Sequence, residues 1–483
     1  MNELNFFTAS QLASMVRERK ISAVEVMEAQ LKHIAQYNPT LNAIVTLDAE
    51  RALQRARVAD EALARGETWG TLHGVPVTIK DCFETADLRT TSGYPPFADY
   101  VPQRDGAAVA LLRQAGAIIL GKTNLPPLAA GGQSVSPIFG RTNNPWNLDR
   151  TPGGSSGGGA AAVAAGLSPL DLGSDISGSL RMPAHFCGIY SLKPTGCRIP
   201  LQGHRSSVKP LKVPTGWEVL YQLPVAGPLA RSIDDLRLSL SVLADPKSPA
   251  LRPTPTRSIH ELHIAWTDEM DTLPLGDEVR AALQTLADRL ARSGAHVERQ
   301  PSPGVPYAEA WQASAAALAA MNTLFQSTTT RLMRKATALI PESRLPHDPI
   351  QHGFMYGASL QAKRMQHIFE QRQSLIQRVD EFMTQWDAWL CPVFSIPAFT
   401  HRALGDPIEV GDRSLSADLA EVMPNVIFNF TGHPVVVVPI GRSSDGLPIG
   451  VQIAGKRWGE MELLAVAEQI AQVTGGYQRP PGY

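Results

Sequence analysis

Apolar residues recur at helical spacing in the first part of the chain. Ser22 and Glu25 have the spacing of a capping box, a reciprocal pair of hydrogen bonds that starts a helix. The positions that then repeat every three or four residues are apolar: Val24, Met27, Leu31 and Ile34. This pattern predicts a surface helix with one buried stripe that ends at Asn38-Pro39, and a charged stretch at 48–65 predicts a second helix.

Short apolar runs indicate the strands. Val75–Ile79 and Ala117–Leu120 are strand-like and lie on either side of a helical pattern from Ala107 to Gln114, an order that predicts an α/β sheet. Three more strand-like runs lie near the other end of the chain: Ala388–Pro392, Pro434–Pro439 and Pro448–Ile453. We therefore expect the two ends of the chain to share one sheet.

The section from about 245 to 380 has a different pattern. It is rich in Ala, Gln and Arg, with long helical stretches such as Tyr307–Ile340 and Ala362–Met383, and it has no sharp motif. We expect a helical section that packs on the sheet, without a linker or an internal repeat that separates domains. Tryptophans in helical or strand contexts are expected in the core: Trp311, Trp386 and Trp389.

Composition is that of an ordinary globular protein. The 483 residues are 43% hydrophobic and 18% charged with a net charge of -1, so no charge excess recruits nucleic acid. The N-terminus lacks the basic and apolar regions of a signal peptide, and no apolar run approaches the ~18 residues of a membrane span, so we expect a cytoplasmic protein without membrane contact. The cysteines form no CxxC pair and are expected to be buried small apolar residues: Cys82, Cys187, Cys197 and Cys391.

Two glycine-rich turns each contain a serine, and a lysine precedes both. Ser155 lies in Thr151–Gly159, Ser179 lies in Gly173–Arg181, and Lys80 ends an apolar run. A serine hydroxyl is a weak nucleophile until a base removes its proton, and a lysine kept neutral by burial can be that base. A second hydroxyl between them can relay the proton, a role that suits the first serine. The second turn would aim successive backbone N–H groups at one point, as an oxyanion hole requires.

Residue types alone leave other interpretations open. Glycine and serine runs are more often plain loops, and a lysine beside an apolar run is more often at the surface. Gly116–Thr123 matches a phosphate-binding loop, but its apolar residues resemble a strand and prolines follow where a helix should begin. His347 and His352 have no carboxylate at helical spacing, so we expect solvated side chains and no metal site. Asp175 and Arg181 are interpreted as an ion pair that braces the second turn.

The ordered set of motifs resembles the amidase signature family over most of the chain. The motifs are Gly74–Asp81, Gly121–Asn124, Asn144–Trp146, Arg150–Gly158, Gly173–Ala184, Leu192–Thr195, Gly227–Arg231, Thr431–Pro434 and Gly446–Gln452. The resemblance implies a single amidase signature domain over residues 1–483, of the α/β class, whose mixed central β-sheet is covered by helices on both faces. Its signature core would span about 74–195, and the helical section at about 245–380 would be an insertion that determines specificity.

The resemblance also implies residue roles. Ser179 would be the nucleophile that forms the acyl-enzyme, Ser155 the bridging serine held by a cis peptide bond, and Lys80 the base. The oxyanion hole would consist of four backbone N–H groups: those of Ile176, Ser177, Gly178 and Ser179. The implied reaction is hydrolysis of a linear carboxamide to the acid plus ammonia or an amine, with no metal or organic cofactor.

Two features depart from the family pattern. Ser177 stands where the family most often has glycine, and its side chain can narrow the pocket. Leu125–Gly132 resembles a substrate-facing loop with more proline than the acidic version common in glutamine-handling members, which makes Ala129 and Ala130 candidate substrate-binding residues. The identity of the amide stays open.

The resemblance leaves two activities to be weighed. One is a free-standing amidase that acts on a small-molecule amide, with a homodimer in keeping with the family. The other is the amidotransferase A-type subunit that releases ammonia from glutamine within a tRNA-dependent complex. The usual Ser-Ser-Leu-Asp-Gln stretch of that subunit is replaced here by Tyr221–Ala226, so we favour the free-standing amidase. An inactive relative is disfavoured because all three candidate catalytic residues are present.

Overall fold

A mixed sheet of eleven strands runs through the protein. The computed structural model describes residues 4–206, 213–253, 256–300, 304–324, 346 and 348–483. Its strands are β1 (Ile44–Leu47), β2 (Pro76–Lys80), β3 (Ile118–Thr123), β4 (Val135–Ser136), β5 (Gly140–Arg141), β6 (Leu170–Asp175), β7 (Tyr190–Lys193), β8 (Val225–Ala230), β9 (His263–Trp266), β10 (His296–Arg299), β11 (Ala388–Pro392), β12 (Ile408–Val410), β13 (Arg413–Leu415), β14 (Val435–Arg442) and β15 (Pro448–Ala454). The sheet order is β1-β3-β2-β6-β8-β7-β14-β15-β11-β9-β10, and β4–β5 and β12–β13 form separate pairs.

Helices cover the sheet. They are α1 (Ala9–Arg17), α2 (Ala23–Leu41), α3 (Ala49–Ala64), α4 (Ala107–Gln114), α5 (Gly157–Ala164), α6 (Arg181–Cys187), α7 (Ile233–Leu243), α8 (Asp277–Arg292), α9 (Tyr307–Leu324), α10 (Pro349–Ala358), α11 (Ala362–Phe382), α12 (Ala417–Thr431) and α13 (Glu460–Thr474). Both α6 and α13 pack on β14, and α7 packs on β8. The α/β class and the mixed sheet covered by helices on both faces are confirmed.

The start of α2 follows the sequence prediction, but its end does not. The Ser22 hydroxyl accepts a hydrogen bond from the Glu25 N–H, and the Ser22 N–H donates to the Glu25 carboxylate, so the capping box is confirmed. The prediction that the helix stops at Asn38-Pro39 was wrong, because Pro39 lies inside its last turn. The helix ends instead at Asn42, a left-handed residue whose N–H donates to the Asn38 carbonyl.

Parallel pairing in one part of the sheet brings the candidate catalytic segments to the same edge of the sheet. Strand β2 pairs in parallel with both β3 and β6, whereas β6 pairs antiparallel with β8. Lys80 ends β2 and Asp175 ends β6, and parallel strands end at the same edge of a sheet. Lys80 and the turn after Asp175 therefore lie side by side, although they are distant in sequence.

The middle section contains the expected long helices but also strands that the sequence pattern did not indicate. Two four-residue strands within it, β9 and β10, pair in parallel and extend the sheet beyond β11. Strands this short do not display an alternating pattern, and the long flanking helices obscured them. Helices α9 and α11 are present as predicted, whereas the part of the predicted Tyr307–Ile340 helix beyond residue 324 lies outside the described residues.

The described residues contain three apolar clusters, and the tryptophans lie among them as predicted. Trp311 and Trp389 are fully buried and Trp386 is nearly so. The Trp311 indole N–H donates to the Met423 carbonyl, which ties α9 to α12. Three cysteines are buried as expected, but Cys197 is exposed, so the prediction for that cysteine was wrong.

Close packing of α10 on α9 depends on a glycine. A Cβ added at Gly357 would overlap the backbone carbonyl of Ala316, which cannot rotate away. We expect Gly357→Ala to lower the free energy of unfolding by about 1–3 kcal/mol, despite the better helix propensity of alanine. The matched control is Gly441→Ala in β14, where an added Cβ meets no atom within 4 Å. Equal melting temperatures for the two variants would contradict this packing.

Candidate active site

Lys80 lies at the centre of a group of hydroxyls. Its Nζ is 2.7 Å from the Ser155 Oγ, 2.9 Å from the Ser156 Oγ and 3.1 Å from the Ser174 Oγ. The lysine is fully buried and all of these neighbours are neutral oxygens. Burial lowers the pKa of Lys80 below its ordinary value, and nearby acidic groups oppose this effect without reversing it. The site thus favours a neutral amine in contact with a serine.

The loop that contains Ser155 is held from several sides. Its peptide bond with Gly154 is cis, as the family resemblance implies, and the preceding Gly153 has a left-handed φ of +84°. The Ser134 hydroxyl donates to the Gly153 carbonyl and accepts from the Gly157 N–H. These contacts fix the serine beside Lys80 just before α5 begins.

Ser179 lies next to this loop at the start of α6. Its carbonyl accepts a hydrogen bond from the Ser156 N–H at 3.2 Å, and the residue is 9% exposed, whereas Ser155 is 1% exposed and Lys80 is 0% exposed. No hydrogen bond joins the Ser155 and Ser179 hydroxyls, both of which lie in the described part of the chain. The three predicted residues are thus brought to one place, with Ser179 the most accessible.

Asp175 shapes the turn between β6 and Ser179. Its carboxylate accepts hydrogen bonds from the Gly178 N–H at 2.9 Å and the Leu180 N–H at 3.0 Å. Gly178 has a φ of +116°, which favours glycine at this position. Because its N–H is already bonded, Gly178 is not available as an oxyanion donor in this arrangement. The N–H groups of the other three predicted donors have no partner within the described residues: Ile176, Ser177 and Ser179.

The predicted ion pair of Asp175 with Arg181 is present. Both side chains are fully buried, and a guanidinium nitrogen lies 2.9 Å from the carboxylate. Burial alone would raise the pKa of Asp175, but the charge and hydrogen bonds of Arg181 hold it below its usual range. The pair therefore braces the turn that leads to Ser179.

The remaining candidate residues lie in the turn before Ser179 and in the loop that leads to Gly131. Ser177 is half-buried and its φ lies outside the left-handed region, so a non-glycine residue fits there without backbone strain. The loop that the sequence suggests as substrate-facing leads to a backbone contact of Gly131 and Gln133 with Gly154. A Cβ added to Gly154 would lie 2.5 Å from the Gly131 carbonyl oxygen. Ala129 is half-buried and Ala130 exposed just before this contact.

Sequence reasoning missed two of the Lys80 contacts. Ser156 adjoins Ser155, and Ser174 lies in the same motif as Ser179. The Ser156 hydroxyl also donates to the Ser174 carbonyl at 3.2 Å. A signal existed for both, since each is a hydroxyl in a glycine-rich motif, but only the pairing of β2 with β6 shows that they meet the lysine.

The residues of the competing motifs that the structure describes lie in other elements of the fold. Residues of the phosphate-loop match form β3, as predicted, and its Lys122 is buried and donates to the Thr90 hydroxyl at 2.9 Å. His352 lies in α10, and His347 lies outside the described residues. Among the residues that the structure describes, no three His, Cys, Asp or Glu side chains gather in a metal-binding group. No helix within these ranges is long and apolar enough to cross a membrane.

Known proteins resemble this chain over nearly its whole length. A family model described as Amidase matches residues 25–464. The A-type subunit of a glutamyl-tRNA(Gln) amidotransferase from Roseiflexus sp. (strain RS-1) is 32% identical, over 100% of this chain and 99% of its own length. An indoleacetamide hydrolase from Bradyrhizobium diazoefficiens is 33% identical, over 97% of this chain and 87% of its own length. The solved structure of a bacterial aryl acylamidase of the amidase signature family is 25% identical, with a TM-score of 0.81 over 99% of both chains.

The fold and these likenesses define an enzyme that acts on the carbon–nitrogen bonds of amides. The chain belongs to the amidase signature family, as its motifs predict.

Proposed function

We propose that the protein is a free-standing amidase that hydrolyses a linear carboxamide through Ser179, Ser155 and Lys80. The observation that supports this most strongly is the 2.7 Å contact between the buried Lys80 amine and the Ser155 hydroxyl. A neutral lysine can accept a proton from one hydroxyl and return it, which is the requirement for a general base that later acts as a general acid.

In the proposed reaction, the Ser179 oxygen attacks the amide carbonyl while its proton passes through Ser155 to Lys80. The backbone N–H groups of Ile176 and Ser177, with that of Ser179, would hold the oxyanion. Collapse of the tetrahedral intermediate breaks the carbon–nitrogen bond, and the proton returns through Ser155 to the leaving nitrogen. Water then attacks the acyl-enzyme by the same path and releases the acid.

The proposed activity is tested by supplying simple amides to the isolated chain. A panel of aliphatic, aryl and peptide-terminal amides, followed by detection of ammonia or amine, should identify at least one substrate that is turned over. The site could also belong to an amidotransferase A-type subunit, because a relative of this kind is 32% identical over the whole chain. Turnover by the isolated chain favours the free-standing amidase, whereas activity only with added partner subunits favours the alternative.

The pH dependence of the reaction should report the protonation of Lys80. Burial favours the neutral amine, so activity should be full above the lowered pKa and should fall as the pH drops through it. The rate of labelling by a serine-reactive phosphonate, measured against pH, checks this. Burial also raises the pKa of Asp171 to about 7, and the charge of Asp171 raises the pKa of Lys80. Asp171→Asn is therefore the control: the acid limb should persist and move to lower pH, whereas it should vanish if Asp171 were the titrating group. A wild-type profile that stays flat until carboxylates titrate would count against Lys80.

The proposal extends to location and partners. We propose a cytoplasmic enzyme whose partner is a small-molecule amide, without nucleic acid or membrane. A homodimer stays a prediction from the family resemblance, and the measured mass of the purified protein in solution would test it.

A further inference from the structure

Helix α12 presents three polar side chains at intervals of four residues: Glu421, Asn425 and Asn429. Residues four apart in an α-helix lie one above another on the same face. This polar face runs along the site just described, and each of its members contacts a different part of it.

The Glu421 end holds the loop beside Ser155. Its carboxylate accepts the Gly132 N–H at 2.9 Å and forms an ion pair with Arg402 at 2.9 Å, with both charged side chains mostly buried. The backbone on either side of Gly132 lies directly against Gly154. A Cβ added to Gly154 would lie 2.8 Å from the backbone nitrogen of Gln133. A displacement of Glu421 would therefore move the Gly132 backbone, which separates Glu421 from the Ser155 loop.

The other members of the face hold the turn that contains Ser179. The Asn429 side chain donates to the Asp175 carboxylate at 3.0 Å and accepts from Arg181, so it contacts both partners of the buried ion pair. Arg181 also donates to the Asn425 carbonyl at 2.8 Å. The Asn425 side chain packs against Gly178, because a Cβ on that glycine would lie 2.8 Å from the Asn425 Cγ.

The helix is also fixed along its length. Pro424 lies inside the helix, and the Pro424 carbonyl accepts a hydrogen bond from the Gln452 side chain at 3.1 Å. The carbonyl oxygen of the same Gln452 side chain accepts from Arg181 at 2.8 Å. These bonds prevent α12 from sliding past the catalytic segments, so its polar face has a fixed register with them.

We propose that Glu421 and Asn429 are positioning residues, and that α12 sets the separation between the Ser155 loop and the Ser179 turn. This inference rests on the proposed Ser179–Ser155–Lys80 mechanism. Proton transfer between the two hydroxyls requires them to approach to hydrogen-bond distance, and an error of about 1 Å at such a site can lower a rate by about 100-fold. A helix that contacts both segments through side chains is suited to set that distance.

The test measures covalent labelling by an alkyl fluorophosphonate, with its maximal rate and half-saturating concentration determined separately. Glu421→Ala should lower the maximal rate by about 10-fold or more while the half-saturating concentration changes little, because alignment and not reagent binding is affected. Glu421→Gln keeps an acceptor for the Gly132 N–H and should restore most of the rate. Asn429→Ala should likewise lower the maximal rate and leave the half-saturating concentration nearly unchanged.

The matched control is Ala420→Gly, which weakens the same helix without removing a member of its polar face. It should lower the melting temperature and leave the maximal labelling rate unchanged. If the wild type is labelled and Glu421→Ala keeps the same maximal labelling rate, the positioning role is overturned and the proposed mechanism is not. The same holds if Ala420→Gly lowers that rate as much as Glu421→Ala does. A wild type that is not labelled at Ser179 would overturn the proposed mechanism and this inference with it.

Discussion

Replacement of Ser179 by alanine should abolish covalent labelling by a serine-reactive phosphonate and lower amide turnover by up to ~10⁶-fold, as the loss of a serine nucleophile does in other hydrolases. The oxygen that would attack the carbonyl is removed, whereas the turn itself is retained because Asp175 still accepts the Gly178 and Leu180 N–H groups. Labelling is measured by the mass of the intact protein, and the fold by circular dichroism and thermal unfolding.

The control for this variant is Ser177→Ala, two positions earlier in the same turn. It also loses a hydroxyl from a partly exposed serine, but it keeps the proposed nucleophile and should still be labelled. Labelling of Ser179→Ala at the wild-type rate would show that another residue is the nucleophile.

Lys80→Met should lower both labelling and turnover by about 10²–10⁴-fold, the usual contribution of a general base. Methionine has a similar length and no charge, so it fits a fully buried position without a new desolvation penalty. The serine hydroxyls around it remain, but the base that would take the proton from Ser155 is lost. The remaining rate should also lose its dependence on pH in the range where the lysine titrates.

A second buried lysine offers the matched control. Lys193 is also fully buried, burial lowers its pKa to about 7, and its amine donates to the Pro194 carbonyl. Lys193→Met should therefore remove a comparable buried amine without removing the proposed base, and its labelling rate should stay near that of the wild type. Equal losses in the two variants would mean that Lys80 acts only through stability.

The sequence was sufficient to predict the three candidate catalytic residues because their surroundings are unusual locally. Ser155 and Ser179 lie in glycine-rich turns, and Lys80 ends an apolar strand, so each is conspicuous within a few residues. The same holds for the capping box of α2 and for the strands on either side of α4. Local signals of this kind depend on backbone freedom and on hydrophobic periodicity, and both can be recognised within a short stretch of sequence.

Other features depend on tertiary contacts and could not be predicted in this way. The Gly178 N–H is bonded to Asp175 only because the turn curls back on the strand end. The sequence shows that the polar residues of α12 are four positions apart. Their role, however, depends on contacts with loops that are distant in sequence, such as the hydrogen bond between Glu421 and Gly132, which are 289 positions apart. Strands β9 and β10 were missed because pairing with neighbours, not periodicity, makes them strands.

The last strand of the sheet has a consequence for how copies of this protein can meet. Within the described ranges, β10 pairs only with β9, so its other side is an open edge, and three of its four residues are exposed: His296, Glu298 and Arg299. Charged side chains on an edge strand oppose the docking of another strand, because docking would strip these side chains of water. The short, charged edge thus discourages the growth of a continuous intermolecular sheet, the first step toward aggregation for so large a β-structure.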